Sequence, residues 1–250
     1  MQESKNEILI FVPTYNEREN APLMATEIAA LGIAADILFV DDNSPDGTGQ
    51  LLDSLRPSVK NLIVHHRDRK RGIGSAHSES ILWAYNNGYK TFVSLDCDFT
   101  HSPSDIPALI EKSRHFNVAV GSRWVNENSL PGWNLYRRAM TLLGHALTRK
   151  LLGLPYDATS AFRAYDLKRI PSEVFRLVRS THYSFFYESL FILYANKFSI
   201  SENPIILPAR TYGSSKMSGR AAMESALNVF SLAWRMSRQP ADFTLKKRLT

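Results

Sequence analysis

The chain has 250 residues, 44% of them hydrophobic and 22% charged, which predicts one globular domain with a sizeable core, and its single Cys excludes both an internal disulfide and a multi-cysteine metal site. Residues 1–125 carry 12 Lys and Arg against 16 Asp and Glu, whereas residues 126–250 carry 18 against 8, so the two halves have net charges of −4 and +10. The basic second half favours an anionic partner, and nucleic acid, anionic lipid or a phosphorylated substrate would each satisfy it.

The first half of the chain alternates strands and helices. The predicted strands are "ILIFV", "DILFV", "NLIVHH" and "KTFVSL", and the predicted helices are "PTYNERENAPLMATEIAAL", about "GQLLDSL", and "GSAHSESILWAYNNG". This alternation predicts an α/β fold with a mainly parallel sheet. Ligands of such sheets bind beyond the carboxyl ends of the strands. Three of these ends carry "PTYNE", "DDNSPDGT" and "DCD", so we expect these polar segments to converge on one crevice.

The second half is more basic and its order is harder to predict. We expect a strand at "NVAVGSRW", a basic amphipathic helix at "WNLYRRAMTLLGHALTRKLLG" and an apolar helix at "YSFFYESLFILYANK". A strand and basic loop follow at "ISENPIILPARTYGSSKMS", then a final helix at about 219–237 and a basic tail. The polar, acidic start does not resemble a signal peptide, and no stretch of about 18 apolar residues is present. Residues 1–250 are therefore predicted to form a single domain.

Two aspartates follow the fourth predicted strand, in "DCDFTHSP". If Asp96 and Asp98 lie on a strand, they share a face and can reach one hard cation, Mg²⁺ or Mn²⁺, while Cys97 points the other way. A solvated turn at a strand end explains the same residues. With Thr100 they also match the D-x-D-x-T pattern of aspartyl-nucleophile phosphatases of the haloacid dehalogenase type. That motif usually lies on the first strand of those enzymes, whereas three strands precede it here.

Two earlier segments have a similar ambiguity. In "PTYNE", the side chains of Pro13, Tyr15 and Glu17 could hold a base and a ribose, or the segment is a loop whose Glu17 favours a helix N-terminus. "VDDNSPDGT" has the composition of an ordinary turn. "RGIGSA" suggests a phosphate loop but lacks a third Gly at the required spacing. The pair of acidic segments is more informative than either one alone.

In this order, "PTYNE", "VDDNSPDGT", "DCDFTHSP", "VGSRW", "GWNLYRR", "SAFR" and "RTYGSSK" resemble family 2 glycosyltransferases of the GT-A (Rossmann-like) fold. More narrowly, they resemble the catalytic domains of dolichol-phosphate (polyprenyl-phosphate) mannosyltransferases. The resemblance covers residues 8 to about 220, leaving a C-terminal helix and basic tail at about 219–250. It implies a mixed, mainly parallel sheet flanked by helices.

The resemblance also implies roles for individual residues. It assigns the nucleotide to Pro13, Tyr15, Glu17, Val40 and Asp42, the sugar diphosphate to Asp96, Cys97 and Asp98, the metal to Asp96 and Asp98, and the donor and acceptor phosphates to Arg123, Arg210 and Lys216. Arg137 or Arg138 matches the family's second acceptor-binding arginine, and Arg137 is preferred. Asp98, Arg123 and Arg137 are therefore the expected catalytic residues.

Three positions depart from the family pattern. Thr100 stands where some relatives have a Gln that completes the metal shell, "SAFR" replaces "GSFR" or "SGFR" near Arg163, and Cys97 replaces the usual Ala. Many relatives also carry transmembrane helices after this domain, and we expect none within residues 1–250.

The chemistry suits these residues independently of the family. A lipid monophosphate is largely dianionic near neutral pH, because its second pKa is about 6, so it can attack the anomeric carbon without a general base. Mg²⁺ or Mn²⁺ would offset the charge on the leaving diphosphate, and arginines would hold two phosphates close together. Together with the resemblance, which implies the substrates, this chemistry leads us to expect inverting transfer of mannose from GDP-mannose to a polyprenyl (dolichyl) phosphate. The alternatives are another donor, such as UDP-glucose or UDP-GlcNAc, another acceptor, a phosphatase, or a non-catalytic sugar-nucleotide-binding module.

The basic helix from Trp133 to Leu152 either packs its apolar stripe inward or lies at a membrane interface. With a lipid acceptor, we expect a peripheral protein on the cytoplasmic face of a membrane, with a separate anchoring subunit left open. Nucleic acid is the weaker alternative, because no binding motif accompanies the basic half.

Overall fold

The computed structural model describes residues 6–208 and 219–246. Within them, seven strands form one sheet: β1 (Ile8–Thr14), β2 (Ala35–Asp41), β3 (Leu62–His66), β4 (Thr91–Ser94), β5 (Val118–Ser122), β6 (Arg163–Asp166) and β7 (Ile200–Pro204). The helices are α1 (Ala21–Ala30), α2 (Thr48–Ser54), α3 (Ile73–Asn86), α4 (Ile106–His115), α5 (Leu135–Leu152), α6 (Glu173–Arg176), α7 (Ser184–Ala195) and α8 (Gly219–Arg238).

The sheet is mixed and mainly parallel, as predicted. Its strand order is β3-β2-β1-β4-β6-β5-β7, and β6 runs antiparallel to both of its neighbours. β1 pairs with β2 in parallel up to Thr14 and Asp41, and the Asp42 N–H donates to the Thr14 carbonyl at 2.9 Å. The loops after β1 and β2 therefore leave the same edge of the sheet side by side.

Apolar residues are buried on both faces of the sheet. On β1, Leu9 and Phe11 join one hydrophobic cluster, and Ile10 and Val12 join the other. Strands covered on both faces read as continuous apolar runs, and this explains why "ILIFV" shows no alternation. Among the described helices, none has the length and apolar character needed to cross a bilayer.

The structure corrects several predicted boundaries. The first predicted helix begins too early, because Pro13 and Thr14 belong to β1 and α1 starts only at Ala21. Asn16, between them, has a φ of 53°, which no helix permits. The prediction also omitted α4 and left β6 unassigned within "DATSAFRAYD".

Candidate active site

The three polar strand ends converge as predicted. They surround a cavity of about 270 Å³, here named the acidic cavity. Its walls include all eight residues expected to bind the nucleotide and diphosphate: Pro13, Tyr15, Glu17, Val40, Asp42, Asp96, Cys97 and Asp98. They also include residues that the sequence did not single out: Thr14, Lys70, Gly72, Ile73, Ala76, His182 and Tyr183.

Asp96 and Asp98 reach this cavity from a loop. β4 ends at Ser94, so the expectation that both carboxylates share one face of a strand is wrong. The chain turns sharply here, and Phe99 has a φ of 58°. Thr100 donates from its backbone N–H (3.1 Å) and its hydroxyl (2.5 Å) to Asp98 Oδ1. The residue that stands in place of the family's Gln therefore orients Asp98.

His101 supports the same loop from beneath. The Asp96 N–H donates to His101 Nδ1 at 3.1 Å, and the buried imidazole packs 5.2 Å from the Phe162 ring, centroid to centroid. Burial lowers the pKa of His101 to about 4, although the charge of Asp98 opposes the shift. The ring is therefore neutral near pH 7 and can accept this hydrogen bond.

The two aspartates fit a hard divalent cation. Carboxylate oxygens are the ligands that Mg²⁺ and Mn²⁺ prefer, and Asp96 is 32% exposed to the cavity. Within the described residues, no group of three or more His, Cys, Asp or Glu side chains is arranged to hold a metal. Mg²⁺ sites typically combine one or two protein carboxylates with substrate phosphates and waters. The pair therefore suits a cation that is shared with a bound diphosphate.

Asp42 organises the far wall of the cavity. Its carboxylate accepts hydrogen bonds from Arg67 Nη1 at 2.9 Å and from the backbone N–H groups of Arg71 and Gly72. This fixes the loop after β3, where Lys70 Nζ lies 3.7 Å from the centroid of the Tyr15 ring. The loop therefore brings a cation to the cavity.

Arg123 lies in a second cavity next to the first. This apolar pocket, of about 220 Å³, is lined by Arg123, Met140, Thr141, Leu143, Gly144, Leu147, Thr148, Thr159, Tyr183, Phe186, Tyr187, Ala226 and Val229. Tyr183 borders both cavities. Tyr183 thus lies between the residues of the acidic cavity and Arg123.

A carboxylate holds Arg123 in place. Asp157 accepts from Arg123 Nε at 2.8 Å, from Nη2 at 2.6 Å and from the Arg123 backbone N–H at 3.1 Å, while Nη2 also donates to the Thr159 hydroxyl. Burial by itself would lower the pKa of Arg123, but the charge and hydrogen bonds of Asp157 outweigh it and raise that pKa. For Asp157, burial alone would raise the pKa, but the charge and hydrogen bonds of Arg123 outweigh burial and hold that pKa below its usual range. Both groups are charged, and the guanidinium is fixed.

Arg137 and Arg138 lie away from both cavities. The Asn134 side chain caps α5 by accepting from the Arg137 N–H, and the Arg137 guanidinium lies 4.1 Å from the centroid of the Trp133 ring. Arg138 donates to the Leu130 carbonyl. Neither lines the acidic cavity or the apolar pocket. Arg210 and Lys216 lie outside the described residues.

Some of the missed residues had a sequence signal. The basic run "RDRKRG" follows the end of β3. Because β3 is parallel to β2, this run leaves the sheet at the same edge as the acidic segments after β1 and β2. Asp157 and Thr159 belong to "DATSAFR", only part of which was recognised. His182 and Tyr183 carry no local signal, because they reach the cavity through the packing of the α7 N-terminus against α3, where the Ser75 N–H donates to the Thr181 carbonyl.

Known proteins with similar sequences point to one family. Residues 9–178 match the family model described as Glycosyl transferase family 2. A polyprenol monophosphomannose synthase from Mycolicibacterium smegmatis is 34% identical over 224 residues, covering 88% of this chain and 84% of that protein. An undecaprenyl-phosphate mannosyltransferase from Micrococcus luteus is 33% identical over 223 residues, covering 89% and 92%.

Solved structures support the fold. A mannosyltransferase from Pyrobaculum calidifontis, in complex with GDP-Man and Mn²⁺, aligns with a TM-score of 0.57 at 14% identity over 95% of this chain and 66% of that one. Glucosyl-3-phosphoglycerate synthase from Mycobacterium tuberculosis aligns with a TM-score of 0.57 at 16% identity, over 94% and 80%. At these identities the likeness concerns the fold alone.

Proposed function

Because the chain belongs to glycosyl transferase family 2, we propose that it transfers mannose from GDP-mannose to a polyprenyl monophosphate and forms polyprenyl-phosphate mannose. The observation that carries this proposal is the pair of cavities that share Tyr183. One is lined by four carboxylates, those of Glu17, Asp42, Asp96 and Asp98, and suits a nucleotide with its metal. The other is apolar with an arginine at its edge and suits a lipid phosphate. The names of the two relatives agree with this pairing of substrates.

On the donor side, the walls of the acidic cavity would hold the nucleotide. We assign the base and ribose to Pro13, Tyr15, Glu17 and Val40, with Asp42 fixing the loop that carries Lys70. Asp96, Cys97 and Asp98 would bind the sugar diphosphate together with Mg²⁺ or Mn²⁺. When bound, the cation would offset the negative charge that develops on the departing diphosphate.

On the acceptor side, Arg123 would bind the phosphate of the lipid. Its guanidinium is already oriented by Asp157, so little side-chain entropy is lost on binding. We assign Arg210 and Lys216 to the same phosphate and to the donor diphosphate, and also Arg137, whose guanidinium would have to leave the Trp133 ring to reach them. These cations would hold two anions near each other against their mutual repulsion.

The reaction would then be one displacement with inversion. An oxygen of the lipid phosphate attacks the anomeric carbon, the bond from that carbon to the donor diphosphate breaks, and GDP leaves with the bonding electrons. The acceptor is largely dianionic near neutral pH, so no residue has to remove a proton. Membership in the transferase family favours this chemistry over a phosphatase that uses Asp96 as nucleophile.

The surface of α5 and α8 supports a peripheral membrane location, which we place on the cytoplasmic face. Leu135 on α5 is 84% exposed and Trp234 on α8 is 63% exposed, and Leu142, Leu227 and Phe230 are also exposed. Basic residues at the helix ends, Arg149, Lys150 and Arg238, add the charge that attracts anionic lipid headgroups.

The test is a transfer assay with purified protein. Labelled GDP-mannose, UDP-glucose and UDP-GlcNAc are each incubated with polyprenyl phosphate and Mg²⁺ or Mn²⁺, and the lipid is extracted into organic solvent. We expect label in the lipid from GDP-mannose only, and only with a divalent cation. Label from a UDP-sugar would replace the proposed donor, and no labelled lipid from any donor would refute the transfer.

A variant pair tests the metal role. Asp98→Asn removes a charge from the acidic cavity and should abolish metal-dependent transfer, whereas Asp105→Asn changes a nearby aspartate that does not line the cavity. We expect Asp105→Asn to retain activity. Full metal-dependent activity in Asp98→Asn would exclude Asp98 from the metal site.

A further inference from the structure

The apolar pocket is lined by residues of α5, α7 and α8, and among its described lining residues only Arg123 is charged. Arg123 and Thr159 stand at one end, and the remaining walls are mainly apolar side chains: Met140, Leu143, Leu147, Phe186 and Val229. Leu143 is also 50% exposed, so the pocket opens beside it to the outer surface of α5. This shape suits a molecule with an anionic head, an apolar segment behind it and a chain that continues outward.

Gly144 is the unusual residue of this pocket. It lies inside α5, where glycine is among the least favourable residues. Its φ is not positive, and among the described atoms a Cβ built on it would meet no heavy atom within 4 Å. By contrast, a Cβ on Gly74 would lie 2.5 Å from the His182 carbonyl oxygen. Gly74 is required by close packing, whereas neither backbone conformation nor a neighbouring atom requires Gly144.

The missing side chain at Gly144 therefore keeps open a space that no described side chain fills. Any larger residue on that face of α5 would project into the pocket. A helix that tolerates glycine at such a position loses stability without any gain in packing. A ligand segment that occupies the space would make the apolar contacts that no side chain of the described residues makes there, and this would explain why a glycine is present.

We infer that the apolar pocket binds the isoprene units nearest the phosphate of the acceptor, and that Gly144 is a specificity-determining residue that sets the width of this site. The inference rests on the proposed function for the identity of the chain. The phosphate lies at Arg123, beside the Tyr183 wall, and the chain passes Gly144 and leaves past Leu143. Branched isoprenoid chains need more width than straight ones, and a glycine provides it.

The variant Gly144→Leu tests this, with Ala139→Leu as the matched control. Both add a leucine side chain to α5, but Ala139 is exposed and does not line the pocket. Farnesyl phosphate in detergent serves as a short acceptor. For Gly144→Leu we expect the KM for farnesyl phosphate to rise about tenfold or more, because buried apolar contacts are lost. The KM for GDP-mannose should be unchanged, and the unfolding midpoint should equal or exceed that of the parent protein.

Binding is measured separately from transfer, as the rise in unfolding midpoint that farnesyl phosphate produces. With farnesyl phosphate we expect this rise in the parent protein and in Ala139→Leu, and a much smaller rise in Gly144→Leu. Inorganic phosphate alone should also give a much smaller rise in the parent protein. Three outcomes would each overturn the inference. They are an equal rise with inorganic phosphate, no rise with farnesyl phosphate in the parent protein, and a rise and KM in Gly144→Leu that are unchanged from the parent protein. If farnesyl phosphate binds as expected but neither it nor polyprenyl phosphate accepts mannose, the proposed function fails and the pocket assignment stands.

Discussion

The ion pair between Arg123 and Asp157 makes the sharpest quantitative prediction. The Arg123 side chain is 10% exposed and that of Asp157 is 1% exposed, and three hydrogen bonds join the two residues. Asp157→Ala would leave a buried guanidinium without its carboxylate. Removal of one partner from a buried pair typically costs about 3–5 kcal/mol. We expect the free energy of unfolding of Asp157→Ala to fall by that amount, because the Thr159 hydroxyl alone cannot replace a charge.

Urea unfolding measures this change, with Glu111→Ala as the control. Glu111 pairs with Arg114 at 3.0 Å, but both side chains are more than half exposed, so its loss should cost at most about 1 kcal/mol. Arg123→Met in the Asp157→Ala background removes the unpaired charge and should recover part of the loss. A cost below about 1 kcal/mol for Asp157→Ala would show that Asp157 does not hold Arg123. No recovery in the double variant would contradict the electrostatic cause.

Three further predictions follow from individual contacts. Thr100→Val removes the hydroxyl that orients Asp98 and should raise the Mn²⁺ concentration needed for half-maximal transfer about 10- to 100-fold, while Thr100→Ser should not. Burial lowers the pKa of His77 in the folded protein to about 3. The imidazole of the unfolded chain therefore binds a proton that the folded protein does not, and the free energy of unfolding falls as the pH drops below the pKa of the unfolded chain. His77→Phe should therefore lose less stability between pH 7 and 5, by about 2 kcal/mol, when urea unfolding is measured at both pH values. Trp234→Ala should weaken flotation with anionic vesicles at low salt, whereas Phe116→Ala, at an exposed site away from α5 and α8, should not; absence of any flotation of the parent protein would refute the membrane surface.

The architecture of the donor side was predictable from local patterns. Buried strands appear as apolar runs, each ends at a polar segment, and parallel order places those ends at one edge of the sheet. All eight residues expected around the nucleotide and diphosphate line the acidic cavity for this reason. The geometry predicted for Asp96 and Asp98 was wrong, because β4 ends at Ser94 and both carboxylates lie on the loop that follows.

The acceptor side was less predictable because it depends on contacts that are distant in sequence. Asp157 reaches Arg123 across 34 residues, and β6 joins the sheet antiparallel between two strands that precede it in the chain. Neither fact leaves a periodic pattern. Tyr183 reaches both cavities only because the segment before α7 packs on the start of α3, where Gly72 and Gly74 leave room for the backbone of residues 181–182. Such tertiary positions have no local signature that single-sequence reasoning can use.

The Asp157 contact also bears on how the acceptor phosphate is balanced. A lipid monophosphate carries a charge of about −1.5 to −2 near neutral pH, and Arg123 shares its charge with the Asp157 carboxylate. The ion pair supplies direction and hydrogen bonds, but together its two members contribute no net positive charge. In the proposed reaction the dianion and the donor diphosphate would meet beside Tyr183, so further cations would be needed there to overcome their repulsion. The proposed roles of Arg210, Lys216 and, once its guanidinium leaves Trp133, Arg137 would meet that need. We therefore expect Arg123 to orient the acceptor phosphate and the other three cations to neutralise its charge.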